Sequence, residues 1–442
     1  MKIQPAKFLR GNIKLPGDKS ISHRAAILSA MATGDARIEN FASSADCAST
    51  LKCLRDLGVE IKRENSTVFI KGVGKTGFQK PETTLDCGNS GTTMRLLAGV
   101  LAGQSFDSIL TGDDSLSKRP MRRVTAPLTE MGARIEAEND CAPLKIYGKN
   151  SLQAISYKMP VASAQVKSCI LLAGLNAAGK TKVQSPKSKV QSPNSRNHTE
   201  LMLRYLGAEL EENFIEAAKG FVHQVSIDGR SRLAAKNLNI PSDVSSAAFF
   251  IVAAACLKDS EIVIENVGLN PTRTAIIEVL QNFGADIEIL NQGKICNETV
   301  GDLLIRGRES FAPQTDSNRI DGDVIANLID EIPILAIFGT KMENGLEVRG
   351  ASELRVKESD RIAAVVENLR RMNAKVEEFP DGFRVEKSEL EGAKIDSFGD
   401  HRIVMAFSIA ALFARGETEI AASECAGVSF PEFFQTLAGI IK

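Results

Sequence analysis

The residues best suited to chemistry stand where apolar helices are about to begin. The segment GDKSISHR carries Lys19, Ser20, His23 and Arg24. Lys19 and His23 are four residues apart, as are Ser20 and Arg24, so a helix starting here sets each pair on one face. Further on, GNSGTTMR sets Asn89, Ser90, Gly91 and Thr92 ahead of Arg95; SAQVK supplies Ser163, Gln165 and Lys167; GDHR supplies Asp400, His401 and Arg402. Ser, Asn, Asp and Gly at such places satisfy the free N–H groups of a first turn. A cation there opposes the helix dipole and calls for an anionic partner. For Lys19, Arg24 and Arg402 the expected partner is a substrate phosphate or carboxylate. His23 and His401 are expected to be structural or to support the residues that touch the ligand.

Three other segments add charge. IDEIP puts Asp330 and Glu331 directly before an apolar run; for Asp330, helix capping and proton transfer are both open. RVKESDR carries Arg355, Lys357, Glu358 and Arg361, with Glu358 a candidate general acid or base. In SKRPMRR, Pro120 restricts Arg119 to an extended backbone, which suits a bidentate grip on an anion. PNSRNHTE adds Ser195 and Arg196 before a helix. Many cations and a few carboxylates imply two anionic substrates held electrostatically, with proton transfer by carboxylates in a site that closes against water. Eight cysteines without paired spacing and four histidines make neither a zinc pattern nor a disulfide framework. No metal and no cofactor is expected. GVGKTG lacks the spacing of a phosphate-binding P-loop. These residue types do not choose among transfer, elimination and isomerisation.

The elements that position them recur. Six openings followed by Ala- and Leu-rich runs begin near residues 17, 88, 163, 245, 329 and 399. MRLLAGVLAG and FFIVAAACL are apolar nearly all round and predict buried helices. Between them run amphipathic segments such as TLKCLRDLGVEIK and AIIEVLQNFGADIEI, each with a helical period, then Gly, then an alternating strand. Asn373 replaces the Gly in the last clear copy, and SFPEFFQTLAG is an incomplete sixth. Gly suits the left-handed residue that ends a helix. The 442 residues exceed one core, so two domains of three units each are expected. A net charge of −1 and few aromatics argue against a nucleic-acid surface. No apolar run is long enough for a membrane span or signal peptide, so a cytoplasmic protein with reduced thiols is expected.

LPGDKSISHR, LDCGNSGTTMRLLAG, SAQVKS, LRVKESDRIAA, GDHRIVMAF and SFPEFF together resemble the 3-phosphoshikimate 1-carboxyvinyltransferase (EPSP synthase) family over nearly the whole chain. The resemblance implies an α/β fold of two inside-out barrel domains, each three βαβαββ repeats. The implied domains are 1–13 with 239–442, and 14–238, with crossings near 13–20 and 235–242. It implies transfer of the enolpyruvyl group of phosphoenolpyruvate to the 5-hydroxyl of shikimate 3-phosphate, by a cytoplasmic monomer with small anionic substrates, no nucleic acid and no membrane. Catalytic roles are implied for Lys19, Asp330 and Glu358. Shikimate 3-phosphate contacts are implied for Lys19, Ser20, Arg24, Ser163, Ala164, Gln165, Ser195, Asp330 and Lys357. Phosphoenolpyruvate contacts are implied for Lys19, Gly91, Arg119, Gln165, Arg361 and Arg402. Ala164, Glu353 and Val428 depart from some members and align the chain with a branch leaning towards glyphosate tolerance. KVQSPKS at 182–188 is copied as KVQSPNS at 189–195; the extra copy is expected to bulge outward, leaving Ser195 rather than Ser188 facing substrate. The rival enolpyruvyl transferase that acts on UDP-N-acetylglucosamine carries a cysteine in the loop that here reads GDDSLSKRPM, without one.

Overall fold

A computed structural model describes every residue of the chain except 150, 190, 192, 194, 219 and 314–316. Two units emerge. A terminal unit holds Met1–Pro16, Pro241–Lys294 and Thr299–Lys442; an inserted unit holds Gly17–Ile240 with Ile295–Glu298. No sequence signal marks that last short segment. Gly17 opens the inserted unit because nothing larger fits: a Cβ there would lie 1.8 Å from the Asn40 carbonyl oxygen and 2.9 Å from Ile240 Cγ2.

Each unit is built around three buried helices. We number them α1 (Lys19–Met31), α2 (Gly91–Leu101) and α3 (Ala164–Gly174) in the inserted unit, and α4 (Val244–Cys256), α5 (Ile332–Gly339) and α6 (His401–Leu412) in the terminal unit. All thirteen residues of α4 are buried, as expected of a helix with no polar stripe. Five of the six are capped by the predicted polar openings. Asp18, Ser90, Ser163, Asp243 and Asp400 each accept a first-turn backbone N–H. The exception is α5, whose Glu331 makes no side-chain cap.

A buried helix is the crossover between two parallel strands, and a hairpin completes the sheet. Around α2 the order is Leu85–Asp86, Ser108–Thr111, Cys141–Tyr147, Arg134–Glu138, parallel once and then antiparallel. With the helix Arg122–Glu130, this is one βαβαββ unit. The sheets beside α3 and α5 repeat it. At the chain crossings the first strands are exchanged. Arg10–Lys14, just before α1, pairs in parallel with Glu261–Gly268 after α4. Leu238–Asn239, just before α4, pairs in parallel with Thr33–Glu39 after α1. The amphipathic helices end as predicted: Gly58, Gly132, Gly207, Gly284 and Asn373 all have positive φ, from 64° to 97°. Each unit has its own apolar core.

Candidate active site

In the inserted unit, the openings of α1, α2 and α3 and the segment before the helix His198–Tyr205 carry the predicted residues. Lys19 Nζ lies 2.9 Å from Asp46 Oδ2, both largely buried. Arg24 is buried and donates in three directions: Nε to Thr199 Oγ1 (2.7 Å), Nη1 to the Ser20 carbonyl (2.8 Å) and Nη2 to Ser168 Oγ (2.8 Å). Burial, then repulsion from Arg196, lowers its pKa to about 10, so it stays cationic near neutrality. Arg196 Nη1 donates to Ser20 Oγ at 3.1 Å. Ser20, Arg24 and Arg196 are thus brought together from two helix openings.

At α3, Ser163 is the cap and Ala164 the first helical residue. Gln165 is fixed at both ends: Oε1 accepts from Arg95 Nη1 at 2.7 Å, and Nε2 donates to Thr92 Oγ1 at 2.9 Å. Arg119 Nη2 donates to Asn89 Oδ1 (3.0 Å) and Ser115 Oγ (3.2 Å). Gly91 faces both arginines. A Cβ there would stand 3.0 Å from Arg95 Nη1 and 3.6 Å from Arg119 Nη1.

Lys167, the cation of the third opening, does not face a ligand. Its anionic partner is internal: Nζ lies 2.6 Å from Glu200 Oε1, and both side chains are shut off from solvent. The same ammonium approaches the Ser195 carbonyl at 3.5 Å. Ser195 Oγ is buried with no protein partner among the described residues. Ser188 exchanges backbone hydrogen bonds with Phe221 in both directions. The first tandem copy therefore follows the strand Gly220–Asp228 instead of bulging outward, since Ser185 N–H also binds the His223 carbonyl. Residues 190, 192 and 194 of the second copy lie outside the described residues.

In the terminal unit, Asp330 does not cap α5. Its carboxylate meets three cations: Arg361 Nη1 at 3.5 Å, Lys357 Nζ at 3.8 Å and Arg402 Nε at 4.0 Å. Arg402 Nη1 donates to the Asp330 carbonyl at 2.8 Å. Arg361, 1% exposed, also binds Glu358 Oε2 through Nη2 (2.6 Å) and Asp400 Oδ2 through Nε (2.8 Å). Burial opposes the charge of Arg361, but Asp400, Glu358 and Asp330 more than offset it and raise its pKa above the ordinary value. Burial, with Arg361 nearby, lowers that of Lys357. Arg361 and His401 hold Asp400 below the usual carboxylate range in spite of its burial. Glu353 is exposed in the short helix Ser352–Val356, and Val428 is half-buried before SFPEFF.

Sequence reasoning missed Asp46, Glu200, Thr199 and Ser168, which hold the predicted cations. Among the described residues, no group of three or more His, Cys, Asp or Glu side chains is placed to bind a metal, and no helix is long and apolar enough to cross a membrane.

A family model described as EPSP synthase (3-phosphoshikimate 1-carboxyvinyltransferase) matches residues 3–437. Proteins named 3-phosphoshikimate 1-carboxyvinyltransferase from Solibacter usitatus and Brevibacillus brevis are 48% and 45% identical, over 100% of this chain and 99% of theirs. A solved EPSP synthase from Acinetobacter baumannii superposes with a TM-score of 0.86 at 40% identity, covering 100% of this chain and 98% of that one. The enolpyruvyl transferase NikO from Streptomyces tendae, at 16% identity, shares the fold with a TM-score of 0.76 over 99% of this chain and 96% of that one.

Proposed function

The chain belongs to the EPSP synthase family, and from that premise we propose how its residues divide the family's reaction. That reaction moves the enolpyruvyl group of phosphoenolpyruvate to the 5-hydroxyl of shikimate 3-phosphate, releasing phosphate, in aromatic amino-acid (chorismate) biosynthesis. Ser20, Arg24, Ser163, Ala164, Gln165, Ser195 and Lys357 hold shikimate 3-phosphate. Gly91, Arg119, Gln165, Arg361 and Arg402 hold phosphoenolpyruvate, and Lys19 touches both. The Ser195 hydroxyl, buried without a partner among the described residues, supports its assignment over Ser188.

The 5-hydroxyl oxygen adds to C2 of phosphoenolpyruvate. Its proton passes to Asp330, while Glu358 delivers a proton to the methylene carbon. The tetrahedral adduct then expels phosphate, and loss of a methyl proton restores the vinyl group. Arginines and lysines set in place before reaction stabilise charge as it develops, at no reorganisation cost. The observation that carries this reading is Asp330 set among Lys357, Arg361 and Arg402 instead of capping its helix. The reading takes the protein as a cytosolic monomer acting on small anions; its eight cysteines are free thiols. It also takes the enzyme as glyphosate-tolerant, which strong competitive inhibition against phosphoenolpyruvate at low inhibitor would contradict.

The test is phosphate release from phosphoenolpyruvate with different acceptors. Release that requires shikimate 3-phosphate supports the reading. Release dependent on UDP-N-acetylglucosamine, or none with any acceptor, contradicts it.

A further inference from the structure

Glu331 is a buried carboxylate at a helix opening that forgoes capping. It is 2% exposed and makes no side-chain bond to the first turn of α5. Its Oε1 instead accepts the hydroxyl proton of Ser245 and lies 4.0 Å from Arg402 Nη1. Ser245 Oγ in turn accepts from Arg273 Nη2 at 2.5 Å. Arg273 Nη2 stands 3.5 Å from Asp243 Oδ1, and Asp243 caps α4 through the Ser245 N–H at 2.8 Å.

The polarity of this chain is fixed. A guanidinium can only donate, so Arg273 takes a lone pair of Ser245 and leaves the hydroxyl proton for Glu331 Oε1. Arg273 itself is held in a tight turn, with its N–H on the Asn270 carbonyl at 2.8 Å and Thr272 bound to Asn270 Oδ1 through both N–H and hydroxyl. Charges alternate along the cluster from Asp243 through Arg273 and Glu331 to Arg402. Asp243, Arg273, Glu331 and Arg402 are all buried. Capping of α4 is already supplied by Asp243, and α5 takes no cap from Glu331. Burying four charged groups is costly unless they are paired and hydrogen-bonded. The end that meets the other site residues is Arg402, which also carries the Asp330 carbonyl.

We propose that Arg273, Ser245 and Glu331 form a relay that sets the direction of the Arg402 guanidinium, which makes Ser245 and Arg273 positioning residues for phosphoenolpyruvate. The proposal rests on the reading of Arg402 as a phosphoenolpyruvate ligand. Because Glu331 adjoins Asp330, the relay fixes the arginine and the carboxylate in one frame. The segments PSDVSS (241–246) and NPTRT (270–274) thereby gain a part in the site that capping alone does not give them.

The test is steady-state kinetics on Ser245→Ala, Arg402→Lys and the double variant. Ser245→Ala is expected to raise KM for phosphoenolpyruvate about tenfold, the order expected when a hydrogen bond to a buried charge is lost, with KM for shikimate 3-phosphate within about twofold. The effect should vanish in the Arg402→Lys background, since a residue acting through Arg402 cannot act once it is gone. Equal rises in both KM values, or effects that multiply in the double variant, would overturn the relay. An impaired Arg402→Lys beside an unaffected Ser245→Ala overturns the relay alone. An unaffected Arg402→Lys sinks the reading of Arg402 and the relay with it. If Ser245→Ala fails to fold, Arg273→Lys, which keeps the charge but shortens the reach, carries the same expectations.

Discussion

Asp400 binds Arg361 with both carboxylate oxygens, Oδ2 to Nε at 2.8 Å and Oδ1 to Nη2 at 3.3 Å, and the same Oδ1 accepts the Arg402 N–H at 2.8 Å. One side chain therefore caps α6 and fixes the guanidinium at the start of the helix Arg361–Arg371. Asparagine would still cap but would deprive the buried Arg361 of the fully buried carboxylate that binds it through both oxygens. Asp400→Asn is predicted to lower stability by about 3–5 kcal/mol, the usual cost of breaking one side of a buried pair. Urea unfolding checks this, and KM for phosphoenolpyruvate should rise in the protein that remains folded.

The Lys167–Glu200 pair is equally hidden. Glu200→Gln is predicted to cost about 3–5 kcal/mol, whereas Lys167→Met with Glu200→Leu recovers most of the loss, because apolar replacements leave no stranded charge. Comparing urea midpoints of the single and double variants separates the two effects. A double variant as unstable as the single one would show that Lys167 is needed for more than this pairing.

Gly91→Ala places a methyl 3.0 Å from Arg95 Nη1, tighter than an ordinary contact, and 3.6 Å from Arg119 Nη1. Arg95, which grips Gln165, must give by tenths of an ångström, while the Arg119 contact is an ordinary one. KM for phosphoenolpyruvate is predicted to rise about tenfold to a hundredfold, since small misplacements of binding groups are amplified. Binding of shikimate 3-phosphate, followed by calorimetry, should change less than about threefold on the same argument.

His23 is buried, with Nδ1 2.7 Å from Thr50 Oγ1, and burial lowers its pKa from 6.5 to about 3. In the unfolded chain it titrates normally. Between about pH 6.5 and 3 the unfolded state therefore binds more protons than the folded one, and stability falls as pH falls. From pH 7 to 5 this single group removes ~2 kcal/mol. His23→Asn should lose that much less than wild type over the same interval, measured by urea unfolding at both pH values. An identical loss would mean that His23 is protonated in the folded protein.

Much of the site was legible because the buried helices announce their openings. GDKS, GNSGT, SAQ and GDHR stand out against apolar runs, and a cation at such a place is hard to explain by capping. The left-handed ends at Gly58 through Asn373 were legible for the same local reason. Partners distant along the chain were not. Asp46, 27 residues from Lys19, opens its own helix with no distinguishing motif. Glu200 lies inside an ordinary amphipathic segment, so the buried match for Lys167 was invisible. The tandem copy misled for a different reason. Loop length alone does not say whether added residues bulge or extend a sheet edge, and at Ser185 and Ser188 the backbone pairing of the strand Gly220–Asp228 decides it.

The account turns on Asp330 as the group that takes the 5-hydroxyl proton. Asp330→Asn keeps size and hydrogen-bonding shape while removing the base. The direct measurement is kcat together with the dissociation constant for shikimate 3-phosphate in that variant. The account predicts a fall in kcat of about a hundredfold or more, in the range for loss of general-base catalysis, with the dissociation constant changed less than about threefold, because that base acts in the transition state. An unchanged kcat, or a loss confined to binding, would contradict it.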